Sequence, residues 1–299
     1  MRITGKSIDF LIIGAAKAGT TSLASWLGKH PDVCMSSPKE TMFFGSPKLF
    51  DRGLDWYHAN FFSHYCDQDL LGDATPAYSN RDRHPGTPER VLSVNSAAKI
   101  IYIVRNPLRK AESTWHMHAN LSPFLINTPE HEACCLKARE GFEAYISDPS
   151  IVANLISVCK YSYQLAPWVS TFGQAHTHVM FLEDLHSNQN SEIFSLCQFL
   201  GLDPEPLINT QLQAENTLKQ RRTQRKYIQY LSKTGLLKLF PQSFKSFWSK
   251  TSLASIDQST NLKPCWPDSS LQYFTKAIDS DLKSFLKANG KSEDFYSLQ

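Results

Sequence analysis

The chain has 299 residues with 31 basic and 28 acidic side chains, a net charge of +3. That is long enough to bury a full core, and the charge excess is too mild to argue for nucleic acid. Seven cysteines show no CxxC pair and no partnering histidine spacing, which argues against zinc and for free thiols in a reducing compartment. No apolar run approaches the roughly 20 residues of a membrane helix, and nothing before Asp9 resembles a signal peptide. The expectation is a soluble, cytoplasmic protein forming one domain over residues 1–299, with no membrane span.

The organising stretch is residues 9–26, DFLIIGAAKAGTTSLASW. Its short β-branched run at 10–13 reads as a buried parallel strand. The small residues 14–19 read as a loop, and Thr20, Thr21 and Ser22 open a helix with Leu23, Trp26 and Leu27 on its apolar side. Free N–H groups and the positive end of that helix make the loop a seat for a phosphate. The spacing is close to the nucleotide-triphosphatase loop GxxxxGK[ST], but Thr20 stands where the lysine belongs and Lys17 lies inside the loop. That relocation argues against ATP hydrolysis; a plain glycine turn in some other α/β protein is the alternative.

Residues 30–44 read as a loop followed by a short extended piece. Within them Glu40 precedes Met42, Phe43 and Phe44, an apolar cluster expected to desolvate it, raise its pKa and make it a general base; the competing reading is a surface ion pair with Lys39. A helix over 51–61 presents Leu54, Tyr57 and Phe61 on one face, and GDATPAYS follows at 72–79. After a short helix at 89–94, KIIYIV at 99–104 is a second buried strand. Arg105 closes it, Asn106 caps and Pro107 opens a helix carrying Ser113, Trp115 and His116. A forked guanidinium and a hydroxyl at those places suit a phosphate.

Residues 120–129 read as a surface loop and 129–146 as a mixed helical stretch. Helical spacing continues over 152–168, HTHVMFL at 176–182 is a third strand, and Gly201 stops the helix after it. The run 214–227 is the most basic of the chain, through Lys219, Arg221, Arg222, Arg225 and Lys226; a solvated helix face is its ordinary meaning. Further helices are expected around 236–247 and 271–286.

GxxKxGTTS resembles the 5′-phosphosulfate loop of the sulfotransferases that use 3′-phosphoadenosine 5′-phosphosulfate (PAPS). The segments KETMFF, DATPAY and RNPLRKAES resemble further motifs of that family, of the heparan-sulfate and bacterial stand-alone types. The resemblance implies an α/β fold, three-layered and P-loop-like, with a central parallel sheet flanked by helices. It implies PAPS as co-substrate without a metal, and an acceptor hydroxyl on a carbohydrate or other small molecule. It assigns Lys17, Ala18, Gly19, Thr20, Thr21, Ser22, Arg105 and Ser113 to the cofactor, with Arg221 or Arg222 folding over it. It makes Glu40, Lys17 and Asp73 the catalytic residues: Glu40 the base, Lys17 the group assisting the leaving oxygen, and Asp73 the acidic member of the segment lining the active site. Glu183 and Asp184 match the family's EDL element and read as structural. Ala74 departs from heparan-type enzymes that carry lysine there. The absent anchor implies a bacterial-type enzyme or a trimmed catalytic domain. A P-loop nucleotide kinase and a non-catalytic PAPS-binding protein are the alternatives.

Overall fold

The computed structural model describes residues 6–121, 128–208, 210 and 264–298. The chain divides into two compact units, one comprising Met1–Lys110, Ser157–Ala214 and Ile278–Gln299, the other Ala111–Ile156 and Glu215–Ala277.

The first unit is built on a five-stranded sheet: β1 (Phe10–Gly14), β2 (Val33–Met35), β3 (Leu70–Asp73), β4 (Lys99–Val104) and β5 (Thr177–Phe181). Their order is β2-β3-β1-β4-β5 and every pairing is parallel. Parallel strands covered on both faces must be apolar on both faces, which is why FLIIG and KIIYIV are nearly continuous runs. One face of the sheet, through Phe10, Ile12, Ile101, Ile103 and Met180, packs on α1 (Thr20–Leu27) and α11 (Gln189–Leu200) by way of Leu23, Trp26, Leu27, Ile193, Leu196 and Leu200. On the other, Tyr102 meets Tyr161 of α9 (Tyr161–Phe172) edge-on at 6.1 Å and Phe285 of α13 (Asp268–Ala288) at 6.3 Å. The expected sheet between helical layers is therefore present.

Two of the five strands were not expected from the sequence. The extended piece sought near Phe44 lies earlier, at β2, and β3 is four residues ending in Gly-Asp, too short for periodicity to register. The remaining helices of this unit follow local chemistry. Gly201 takes a left-handed conformation, φ 79°, and closes α11. Pro167 inside α9 cannot donate to the carbonyl of Tyr163, and the Arg81 guanidinium donates to that carbonyl instead at 3.1 Å. The N-terminal N–H groups of α9, at Ser162 and Tyr163, donate to the Asp281 carboxylate at 3.0 and 2.9 Å, a cap supplied from 119 residues away.

The second unit holds the greater part of α5 (Pro107–Ala119) and of α8 (Pro149–Cys159), with α6 (Pro129–Glu140) and α7 (Phe142–Ser147). Thr128 accepts from the His131 N–H and Pro129 follows it, a start signal readable in the sequence. Trp115 donates to the Ala138 carbonyl at 2.9 Å and stands edge-on to Phe142. Phe142 in turn meets Trp266, which donates to Glu112 at 3.2 Å.

Candidate active site

In an open parallel sheet ligands settle outside the carboxyl ends of the strands, where successive connections leave in opposite directions. Here that point falls between β1, whose connection runs toward β2, and β4, whose connection runs toward β5. The two anion motifs stand on its two sides. The loop after β1 is fixed to β4 by Ala15, whose N–H donates to the Ile103 carbonyl at 2.6 Å, and closes on itself through Ala18 N–H to Ala15 O at 3.1 Å. Gly14 lies so close to the turn at Pro76–Ser79 that a β-carbon there would stand 2.3 Å from Ser79 Oγ. Gly19 caps α1 at φ 94°, and its β-carbon would meet Leu182 at 2.9 Å.

Lys17 adopts φ 68°, a conformation that costs a non-glycine residue about 1–2 kcal/mol. Ala18 and Thr20 are buried, whereas Gly19, Thr21 and Ser22 are partly exposed. Thr20, Thr21 and Ser22 form the first turn of α1, whose leading N–H groups have no acceptor inside the helix. Arg105 closes β4 across the crevice, and its guanidinium donates to the Lys17 carbonyl at 3.3 Å. The structure thus brings Lys17 and Arg105 together, 88 residues apart in sequence. Asn106 caps the next helix through Oδ1, which accepts from Leu108 and Arg109 N–H at 3.0 and 3.2 Å. Ser113 lies on α5 in the second unit. Arg221 and Arg222 lie outside the described residues.

Glu40 corrects one expectation. Its side chain is 55% exposed and pairs with Lys39 Nζ at 3.0 Å, the ion pair that was the competing reading. Phe43 and Phe44 do not desolvate it, because both turn fully into the core while Glu40 faces solvent. Lys39 Nζ is buried and has no other acceptor among the described residues.

Asp73 corrects a second. It is 0% exposed, and both oxygens are taken: Oδ2 accepts from Thr41, Tyr57 and Tyr78 hydroxyls at 2.7, 2.9 and 3.0 Å, and Oδ1 from Thr75 at 2.7 Å. Burial raises its pKa and the four hydroxyl bonds oppose the rise. Burial, with the Asp73 charge beside them, pushes Tyr57 and Tyr78 well up. A carboxylate so enclosed does not touch an acceptor; it organises the hydroxyls. Thr41, held by Asp73, accepts from the Phe43 N–H at 3.1 Å, and its own N–H donates to Thr75 at 3.0 Å. The residue after Glu40 is therefore anchored in the core.

Sequence reading assigned Glu183 only a structural part, gave Tyr161 only a place in the helical core and gave Tyr296 none; Glu183 and Tyr161 contact the Arg105 loop through space from distant segments, and Tyr296 contacts Glu183. Glu183 Oε1 accepts from the Asn106 N–H at 2.9 Å, and the Tyr161 hydroxyl donates to the Arg105 carbonyl at 2.5 Å. No local signal marks such partners.

A phosphate-seating loop after β1 and an arginine after the neighbouring strand define the class: a P-loop-like α/β protein built to hold an anionic nucleotide. Residues 7–254 match the family described as "Sulfotransferase domain", and the chain belongs to the sulfotransferase family, whose co-substrate is PAPS. It is 36% identical over 131 residues to the membrane-associated sulfotransferase kil1 of Dictyostelium discoideum, covering 41% of this chain and 26% of that protein. It is 28% identical to the bifunctional heparan sulfate N-deacetylase/N-sulfotransferase 1 of Caenorhabditis elegans, over 68% of this chain and 23% of that protein. The chain therefore spans about a quarter of the length of these relatives. The crystal structure of a sulfotransferase from Alicyclobacillus acidocaldarius shares the fold with a TM-score of 0.52 and 23% identity, covering 74% of this chain and 91% of that one. The expectation of a cytoplasmic protein is corrected by these relatives: one is named as membrane-associated and another as an enzyme of heparan sulfate, which points away from the cytoplasm. No helix among the described residues is long and apolar enough to cross a membrane.

Proposed function

We propose that the chain is the catalytic domain of a PAPS-dependent sulfotransferase acting on a carbohydrate hydroxyl. The observation that carries this reading is the meeting of the Lys17 loop and Arg105 at the carboxyl ends of adjacent strands, joined at 3.3 Å. The loop and the first turn of α1 take the 5′-phosphosulfate end. Arg105 takes the 3′-phosphate, with Ser113 assigned by the family motif. The family match runs through residues of both units, which supports reading the chain as one catalytic domain.

In the reaction the acceptor oxygen bonds to sulfur as the bond from sulfur to the 5′-phosphate oxygen breaks. Glu40 accepts the acceptor proton, and the core anchoring of Thr41 beside it supports a fixed place for that carboxylate. Lys17 and the Thr20–Ser22 turn stabilise charge gathering on the departing phosphate. A heparan sulfate enzyme among the relatives favours a carbohydrate acceptor; because that relative is named as an N-sulfotransferase, an amino sugar is the second acceptor to test.

Calorimetric titration with 3′-phosphoadenosine 5′-phosphate (PAP) tests the cofactor assignment. Binding is expected, with a loss of at least about tenfold in Arg105→Ala, the scale of a charged hydrogen bond removed. A chain that binds ATP and not PAP overturns the reading in favour of a nucleotide kinase.

A further inference from the structure

The peptide unit joining Arg105 to Asn106 is held from both sides. Its carbonyl accepts from the Tyr161 hydroxyl at 2.5 Å, and its N–H donates to Glu183 Oε1 at 2.9 Å. The second carboxylate oxygen of Glu183 accepts from the Tyr296 hydroxyl at 3.2 Å, so Glu183 is itself fixed. The Tyr161 ring is fully buried against Tyr102 and Phe285 at 6.1 and 5.5 Å, which leaves its hydroxyl little freedom. Asn106 spends its side chain on the helix cap, and Arg105 reaches over to the Lys17 carbonyl. The plane of this one peptide thus sets where the Arg105 guanidinium points.

We propose that Tyr161 and Glu183 are positioning residues for the 3′-phosphate of the cofactor. They clamp the Arg105–Asn106 peptide so that the arginine fork meets that phosphate preorganised. The inference rests on the PAPS reading above. Neither residue touches the nucleotide; both act through the backbone of the residue that does. An arginine whose backbone must be ordered on binding gives up part of its interaction energy to ordering, so loosening the clamp weakens recognition of the 3′-phosphate in particular.

The test compares two ligands that differ by that phosphate alone, PAP and adenosine 5′-monophosphate, by titration of the wild-type chain and of Tyr161→Phe, Glu183→Ala and Glu183→Gln. Tyr161→Phe and Glu183→Ala are expected to lower PAP affinity about tenfold each, one hydrogen bond's worth, while the monophosphate affinity stays. The KM for PAPS rises more than kcat falls. Glu183→Gln keeps an acceptor for the Asn106 N–H and restores most of the preference. Equal weakening of both ligands, or an unchanged preference for PAP in folded Tyr161→Phe, overturns the clamp. Should Glu183→Ala not fold, Tyr161→Phe and Glu183→Gln decide it. A wild-type chain with no preference for PAP is a different failure, which removes the cofactor reading and the clamp with it.

Discussion

Lys17 and Glu40 differ in how the fold treats them. Lys17 is held in a left-handed conformation within a loop tied to β4, which fixes where its side chain leaves the backbone. If it assists the departing oxygen, Lys17→Ala lowers kcat by about 10²–10³-fold, the scale of a lost transition-state donor, with a smaller effect on PAP affinity; equal loss in both would reduce Lys17 to a binding group. Glu40 is exposed and ion-paired, so its place is set by its neighbour Thr41. Glu40→Gln is expected to abolish most sulfation, by about 10²–10⁴-fold for a lost general base, without changing PAP binding. Undiminished turnover would remove Glu40 as the base. The phosphate loop was legible because its residue types and spacing are themselves the mechanism. The surroundings of Glu40 and Asp73 were not, since which side of a short loop faces the core depends on Thr75, Tyr57 and Tyr78, up to 37 residues away.

Among the elements, the strands that emerged from the sequence are those buried on both faces and long enough to show it, such as β4 with IIYIV fully buried. The two that did not, β2 and β3, have three and four residues and owe their existence to parallel pairing across the sheet. The edge strand β5 carries a titration. His178 lies against the Phe199 ring at 5.0 Å, its Nε2 has no partner among the described residues, and burial lowers its pKa to about 4. A base with a depressed folded pKa favours the folded state only while neutral. Between pH 6.5 and about 4 the unfolded chain binds more protons, so stability falls as pH falls through that window, by up to about 3 kcal/mol. Urea denaturation at pH 7 and pH 4.5 should show this loss in the wild-type chain and a reduced one in His178→Phe. Parallel losses in the two proteins would assign the acid sensitivity elsewhere.

For the whole molecule, the first unit is discontinuous and residues 278–298 complete it. Asp281 caps α9, Phe285 covers Tyr102, Tyr161 and Phe181, Lys291 pairs with Asp184 at 2.6 Å, and Tyr296 holds Glu183. Phe285→Ala is therefore expected to cost about 3–5 kcal/mol, as for other fully buried phenylalanines, measured by chemical denaturation; a cost under about 1 kcal/mol would mean that this segment docks loosely. The order of synthesis gives the same feature a kinetic meaning. Roughly 100 residues separate Phe181 from Phe285, so at about 5–20 residues per second a nascent chain waits on the order of 5–20 s with one face of its sheet only partly covered. During that interval α9 already lies on that face, and only the aromatic surface that α13 later covers, at Tyr102, Tyr161 and Phe181, is open to chaperones and to neighbouring nascent chains. The yield of folded protein should therefore depend on translation speed through residues 182–285 as well as on the stability of the finished fold.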